Sequence, residues 1–284
     1  MRKYQLIVIF SAILATAGNV QADTRAFATE SIGTAKQSVQ ASTPTPVYAI
    51  AWNGDMLFYK HAGTGDGSPN WPIQAVKIGH GWNFKQVFAG DNGAVYAILD
   101  NGDMLFYKHA GYNDGSANWP IQAKKIGHGW NFKQVFAGDN GAIYAIQDNG
   151  DMLFYQHAGF NDGSANWPIQ AKKIGHGWDF KQVFAGDNGS VYAIQHNGDM
   201  LFYKHAGFND GSANWPIQAK KIGHGWNFKQ IFAGDNGTIY AIHDNGDMRF
   251  YKHAGFNDGS VNWPIQAQKI GNGWNFRQVF GGSN

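Results

Sequence analysis

Tryptophan recurs every 48 residues along most of this chain, in two interleaved series. Asn-Trp pairs stand at Asn70-Trp71, Asn118-Trp119, Asn166-Trp167, Asn214-Trp215 and Asn262-Trp263, and Gly-x-Gly-Trp loops end at Trp82, Trp130, Trp178, Trp226 and Trp274. Residues 45–284 divide into five copies with none left over: 45–92, 93–140, 141–188, 189–236 and 237–284. Near-identical copies at a fixed period fold as stacked supersecondary units, each burying its apolar faces against the next. The question is which unit.

Within a copy there is no 3.6-residue periodicity, but there are four short β-type runs bounded by turn residues. In the third copy these are Ile143–Gln147, Met152–His157, Ala171–Ile174 and Gln182–Ala185. Asp148-Asn149-Gly150 joins the first two, and Asp187-Asn188-Gly189 leads from the fourth into the next copy. Asn-Gly favours the positive φ angles of tight hairpin turns, so these strands are expected to be antiparallel neighbours. Runs such as Ile143-Tyr144-Ala145-Ile146 are apolar almost throughout, as in a sheet covered on both faces. Four-stranded sheets arranged around an axis make an all-β propeller, here of five blades. The ends of the array are complementary: Val47-Tyr48-Ala49-Ile50 has no Gln-Val-Phe-Ala run before it, and Gln278-Val279-Phe280 has no Val-Tyr-Ala-Ile run after it. The C-terminal strand is therefore expected to complete the N-terminal blade and remove the sheet edges. An open β-solenoid would instead carry atypical capping units.

Composition agrees with this class. Glu30 is the only glutamate and leucine is scarce, which sets aside a mainly helical fold. With no cysteine there are no disulfides, thiolate metal sites or cysteine nucleophiles. Ahead of the repeats, Met1-Arg2-Lys3, the apolar stretch Leu6–Ala17 and Val20-Gln21-Ala22 read as a signal peptide over 1–22, cut after Ala22. The apolar stretch falls short of the roughly 20 residues of a membrane span, so stable membrane insertion is not expected. Residues 23–44, rich in Ala, Ser, Thr and Gln, read as a flexible leader, and the product as secreted or periplasmic. Without residues 1–22 the chain has 20 basic and 20 acidic side chains. That balance argues against nucleic acid or an anionic membrane as the main partner.

The series Asn-Trp-x-x-x-Ala-x-x-Ile-Gly-x-Gly-Trp-x-x-Phe, followed by Phe, Asn-Gly and Tyr-Ala, resembles the tachylectin-2 family over about 240 residues. These are five-bladed propeller lectins of innate immunity, with related repeats in bacterial secreted proteins. This chain has one residue fewer before the second Trp than the animal proteins. The resemblance implies binding of N-acetylated amino sugars, with one site per repeat near the junctions of adjacent blades. The animal proteins carry Asp directly before Asn-Trp; here Pro69, Ala117, Ala165, Ala213 and Val261 stand there, and Asp66, Asp114, Asp162, Asp210 and Asp258 lie a few residues upstream.

The residues themselves lead to a similar reading. Sugars are held by aromatic faces against their C–H surfaces and by fixed amide or carboxylate groups that read hydroxyls. The long loop of each copy supplies such groups: Asp66, Asn70 and Trp71; Tyr112, Asp114, Asn118 and Trp119; and, in the later copies, Phe160, Phe208 and Phe256 with Asp162, Asp210 and Asp258 and their Asn-Trp pairs. The following turn adds His80, His128, His176 and His224, each two residues before a Trp; Asn272 takes that place in the last copy. Trp and Tyr are also the usual packing between blades, and Asn, Asp and Gly are ordinary turn formers. The Trp82, Trp130, Trp178, Trp226 and Trp274 series leans to packing, and Asn101-Gly102-Asp103 to a hairpin turn. Thr64 replaces the loop aromatic in the first copy, so the sites of copies two to four should be the most alike. Arg249 stands where Leu57, Leu105, Leu153 and Leu201 stand, so that strand face is expected to be partly wet in the last blade.

No copy offers a His pair at metal spacing with a carboxylate partner, and Asn113-Asp114-Gly115-Ser116 lacks the alternating carboxylates of a calcium loop, so neither metal nor cofactor is expected. Glycoside hydrolysis and nucleophilic catalysis need asymmetric constellations, whereas near-identical copies make five equivalent loop sets. A non-enzymatic, monomeric, multivalent lectin for glycans carrying N-acetylhexosamines is the expected product. The alternative is a non-catalytic scaffold or adhesion protein that binds partners through an exposed apolar face.

Overall fold

A computed structural model describes residues 43–284; the expected signal peptide and all of the expected leader except Thr43 and Pro44 lie outside the described residues. Twenty strands form five four-stranded antiparallel sheets. From the inside outwards, the first blade comprises Gln278–Gly281, Thr45–Ile50, Met56–His61 and Ile73–Gly79. The third comprises Gln134–Ala137, Ala142–Ile146, Met152–Gln156 and Ile169–Gly175. The second (86–127), fourth (182–223) and fifth (230–271) blades follow the same order. Each innermost strand therefore belongs to the preceding 48-residue copy. This one-strand offset closes the ring, with Val47 paired to Gly281 and Ile50 to Gln278.

Two turn chemistries build each blade. In Asp139-Asn140-Gly141 both central residues have positive φ, 56° and 73°, the mirror-image turn whose twist suits a two-residue hairpin. Gly141 is obligatory there, because a Cβ would strike the His157 carbonyl. In the second hairpin only Gly150 has positive φ, 80°; its N–H donates to Gln147 O at 3.0 Å and Gln147 N–H to Asp151 O at 2.9 Å. That is a type I turn with a glycine bulge, so Asn149 stays right-handed and its Oδ1 caps the Asp151 N–H.

The outer strand is longer than its apolar run suggests, Ile169–Gly175 rather than Ala171–Ile174. A β-bulge between the pairs Phe154–Lys172 and Gln156–Ile169 carries it past Ala171, whose φ is 49°. Alanine gives no sequence signal for that conformation.

The core lies between blades. One cluster combines Tyr144, Phe154 and Trp178 of the third blade with Val183, Val191 and Leu201 of the fourth, and the other four are its equivalents. The second strands are buried on both faces, as their uninterrupted apolar sequence requires.

At the axis the innermost strands read one another directly. Gln134 donates Nε2–H to Val183 O and accepts the Val183 N–H on Oε1 at 3.1 Å, and equivalent side chains link the other blades. One layer away, each aspartate accepts a backbone N–H of the next blade: Asp91 from Asn140, Asp139 from Asn188, Asp187 from Asn236 and Asp235 from Asn284. In the fifth place the Ser283 carbonyl accepts the Asn92 N–H at 3.0 Å, and the Ser283 hydroxyl donates to Asp91. Among the described residues, no helix is long and apolar enough to cross a membrane.

Candidate functional site

Each blade junction is assembled from a loop of one blade and two strands of the next. After Gly127 the chain folds back over its own hairpin, and the Trp130 N–H donates to Gly102 O at 2.9 Å. Gly127 makes room for this, since a Cβ there would meet the Trp130 Nε1. The Trp130 ring, 5% exposed, packs on Tyr155 of the third blade with centroids 4.6 Å apart and on Trp167 at 5.4 Å. Trp167 donates Nε1–H to Ile126 O at 2.8 Å, fastening the third blade to the outer strand of the second.

Behind Trp167 stands a rigid polar pair. His157 lies against the indole at 4.5 Å, with Nε2 2.9 Å from Ser164 O and Nδ1 2.9 Å from the Tyr96 hydroxyl. A carbonyl only accepts, so Nε2 carries the proton and Nδ1 accepts from tyrosine. Burial holds the His157 pKa below the usual imidazole value and pushes the Tyr96 phenol up, so both are neutral at physiological pH. The same pair recurs at all five junctions with Tyr–His distances of 2.9–3.1 Å.

The product is an open depression of about 330 Å³ between the second and third blades, walled by His128, Trp130, Phe132, Tyr155, Trp167 and Gln170. Its counterparts between the first and second blades and between the third and fourth hold about 340 Å³ each. These volumes fall at the small end of small-molecule sites. The Gln170 side chain is oriented by donating Nε2–H to Trp167 O at 3.2 Å. Ala171 lines the same depression with its left-handed backbone, as do Ala123 and Ala219 with φ of 49°. A non-glycine residue held there costs on the order of 1–2 kcal/mol, and the strain is kept in every copy. Burial raises the Tyr155 phenol above its ordinary range, so it remains a neutral hydroxyl.

The structure unites His128 and Trp130 with Trp167 of the following copy, not with Trp119 of their own; Trp119 faces His80 and Trp82 across the preceding junction. Trp71 likewise packs on Trp274, Trp215 on Trp178 and Trp263 on Trp226. His176 lines the depression between the third and fourth blades, and His224 occupies the same place in the following loop. The other candidates lie apart from the depressions. Asp162 accepts the Ser164 N–H at 2.8 Å as a turn cap, and Asp66, Asp114, Asp210 and Asp258 do the same in their loops. Asn166 gives its carbonyl to the Ala158 N–H, as Asn70, Asn118, Asn214 and Asn262 do in theirs. Phe160 covers Gly141 of the inter-blade turn, and Tyr112, Phe208 and Phe256 cover Gly93, Gly189 and Gly237. Thr64, in the same place of the first blade, is buried and donates to Thr43 O.

The family model of the Tachylectins matches residues 49–279, the span that forms these junctions. The chain belongs to the Tachylectin family. That makes it a lectin by family, a member of a group of carbohydrate-binding propellers. Among solved structures it is similar to a symmetrical protein from work on how folding constraints shape its de novo evolutionary emergence. The two share 23% identity and a TM-score of 0.58, over 83% of this chain and 97% of that one. It is also similar, at 15% identity and a TM-score of 0.43, to the SapL1 lectin in complex with alpha methyl fucoside, over 81% of this chain and 82% of that one. Comparison with curated protein sequences gives no match.

Sequence reasoning did not single out Phe132, Tyr155, Gln170 or Ala171 of the depression. Tyr155 alternates with Phe154 in a strand with large apolar side chains on both faces, and nothing in alternation tells which face meets the rim. The signal that was present is recurrence: Pro-Ile-Gln-Ala stands in all five copies although Gln and Ala are exposed there.

Proposed function

We propose that this protein is a secreted or periplasmic, monomeric, multivalent lectin that binds N-acetylated amino sugars, one at each blade junction. The observation that carries the reading is the recurrence of one depression, with two indoles and a phenol ring as apolar wall and an oriented amide at its edge. The indole and phenol rings suit the C–H face of a pyranose or the methyl of an N-acetyl group. In this reading the Gln170 amide and the Tyr155 hydroxyl, both lining the depression, bond to the sugar's hydroxyl and amide groups. Each site is shallow and so individually weak, and five of them on one rigid ring gain about 10²-fold or more against a repetitive glycan surface. The exposed large apolar side chains among the described residues, Trp52, Val76 and Val261, stand on three separate segments.

The test is binding of the processed protein to a glycan array, with free N-acetylglucosamine and N-acetylgalactosamine as competitors, together with titration calorimetry for stoichiometry. We expect competable binding, up to five equivalents of sugar per chain, and loss of about one equivalent on His128→Ala. A folded protein whose glycan binding neither sugar displaces would overturn the reading and bring the scaffold forward.

A further inference from the structure

One junction carries, on the third strand of a blade, a charge that no other copy has there. Where four blades place Leu57, Leu105, Leu153 and Leu201 in the third strand, the fifth places Arg249. Two residues before Tyr251 in Met248–Lys252, Arg249 shares its face, the one turned towards the fourth blade. That junction keeps the common frame: Tyr251 packs on Trp226 at 4.5 Å, Trp226 on Trp263 at 5.6 Å, and Trp263 donates Nε1–H to Ile222 O at 3.0 Å.

Into this frame Arg249 brings a guanidinium. One of its nitrogens donates at 3.3 Å to the carbonyl of Ala267, the left-handed alanine (φ 51°) whose equivalents line the other depressions. Another lies 3.7 Å from Asp247, a carboxylate that Lys269 already holds at 2.8 Å. In the other blades a single lysine meets a single aspartate at this place, as in Lys77–Asp55, Lys125–Asp103, Lys173–Asp151 and Lys221–Asp199. Here two cations share one anion, and a positive charge is left over at the junction edge. Its field reaches the site wall: burial raises the Tyr251 phenol and Arg249 draws it back down, whereas Tyr59, Tyr107, Tyr155 and Tyr203 feel burial alone.

We propose that the junction between the fourth and fifth blades takes an N-acetylated sugar bearing a carboxylate, with Arg249 donating to that carboxylate. The inference rests on the lectin reading and gives one of its five sites a different ligand. A guanidinium has five donors in a planar fork that matches a carboxylate, and only two directions are engaged here. A side chain that served packing alone would be better supplied by the leucine of the other copies.

Titration calorimetry of the full protein with N-acetylneuraminic acid and N-acetylmuramic acid, against neutral N-acetylglucosamine, tests this. At low salt we expect one equivalent of acidic sugar bound about tenfold more tightly than neutral sugar, an advantage that added salt erodes. Arg249→Leu, which restores the residue of the other four copies and so carries little folding risk, should abolish that advantage; neutral binding at the four other junctions is the internal reference. The reciprocal Leu153→Arg should create a second equivalent of tight acidic binding. Equal acidic binding before and after Arg249→Leu, or neutral binding with no acidic binding, would overturn the inference and leave the lectin reading standing. Absence of binding by sugars of either charge would overturn both.

Discussion

The axis and the rim of this propeller are built from the same five repeats, and repetition acts on them in opposite ways. At the rim the copies stay apart, each junction with its own His–Tyr pair and indole pair, so what one copy builds there does not depend on the others. At the axis the copies meet, and identical charges are brought face to face. Burial pushes Asp187 up to about 7 and Asp139 up to about 6, and repulsion among the ring aspartates adds to it; Asp91 and Asp235 are raised in the same direction. Serine in the fifth place spares the ring one further carboxylate. A repeat that is additive where its copies are separated becomes self-opposing where they converge.

The largest expected effect breaks the rim. Trp130→Ala removes an indole that is 5% exposed and walls both the core and the site. Large aromatic-to-alanine changes of this kind cost about 3–5 kcal/mol. Urea unfolding should show this as a lowered midpoint. If the stability lost is less than about a quarter of that, Trp130 is a surface platform and not part of the inter-blade core.

The next prediction concerns the axis and has the opposite sign. Asp187 holds its proton more tightly folded than unfolded, so its contribution is favourable below the ordinary carboxylate value of 3.8 and is lost as the pH rises through about 7. Asp187→Asn keeps an oxygen for the Asn236 N–H and removes the charge. Stability at about pH 8 should rise by about 2 kcal/mol, within a ceiling of about 4 kcal/mol, and the gain should vanish by about pH 4. The five buried histidines run the other way, their pKa values lowered chiefly by burial, so that stability falls as the pH drops below 6.5. Relieving the axis should therefore expose an acid-side decline that the aspartates mask in the parent protein. A variant with the parent pH profile would show that the ring is already solvated.

A smaller effect sharpens what holds the rim sites in shape. Tyr96→Phe leaves His157 Nδ1 with no donor in a buried place, while Nε2 remains tied to Ser164 O. The expected loss is about 1–3 kcal/mol, with the His157 imidazole signals shifted in NMR. Stability unchanged by the substitution would mean that water reaches the ring nitrogen.

The contrast between axis and rim also explains what the sequence made legible. The 48-residue period, the missing and surplus end strands and the Asn-Gly turns are local signals, and they carried the blade number, the strand order and the closure by Gln278–Gly281. The candidate site was legible only by residue type. His128, Trp130 and Trp167 do share a depression, but the partnership crosses from one copy into the next, and a repeat read as a closed unit groups each Trp with the wrong neighbour. Asp162 and Phe160 have the composition of a sugar site and serve a turn and a glycine contact. Ala171 carries no mark of its left-handed backbone. The aspartate ring was invisible because Asp-Asn-Gly is ordinary turn chemistry; only closure of the ring makes four such turns one electrostatic unit.

The smallest expected effect tests whether charge at the rim acts as locally as this contrast requires. Lys125 meets Asp103 at 2.8 Å beside the second junction loop, and that hydrogen bond, reinforced by Asn101, holds the Asp103 carboxyl below its ordinary range. Both groups face solvent, where an ion pair gains little over hydration and is screened by salt. Lys125→Ala should therefore leave the unfolding midpoint unresolved from the parent, at low salt as at high, although the contact is as short as any lysine pair among the described residues except two at 2.7 Å. A salt-dependent drop in stability would mean that rim charges couple across blades as the axial ones do. The surplus charge of Arg249 could not then be assigned to one junction.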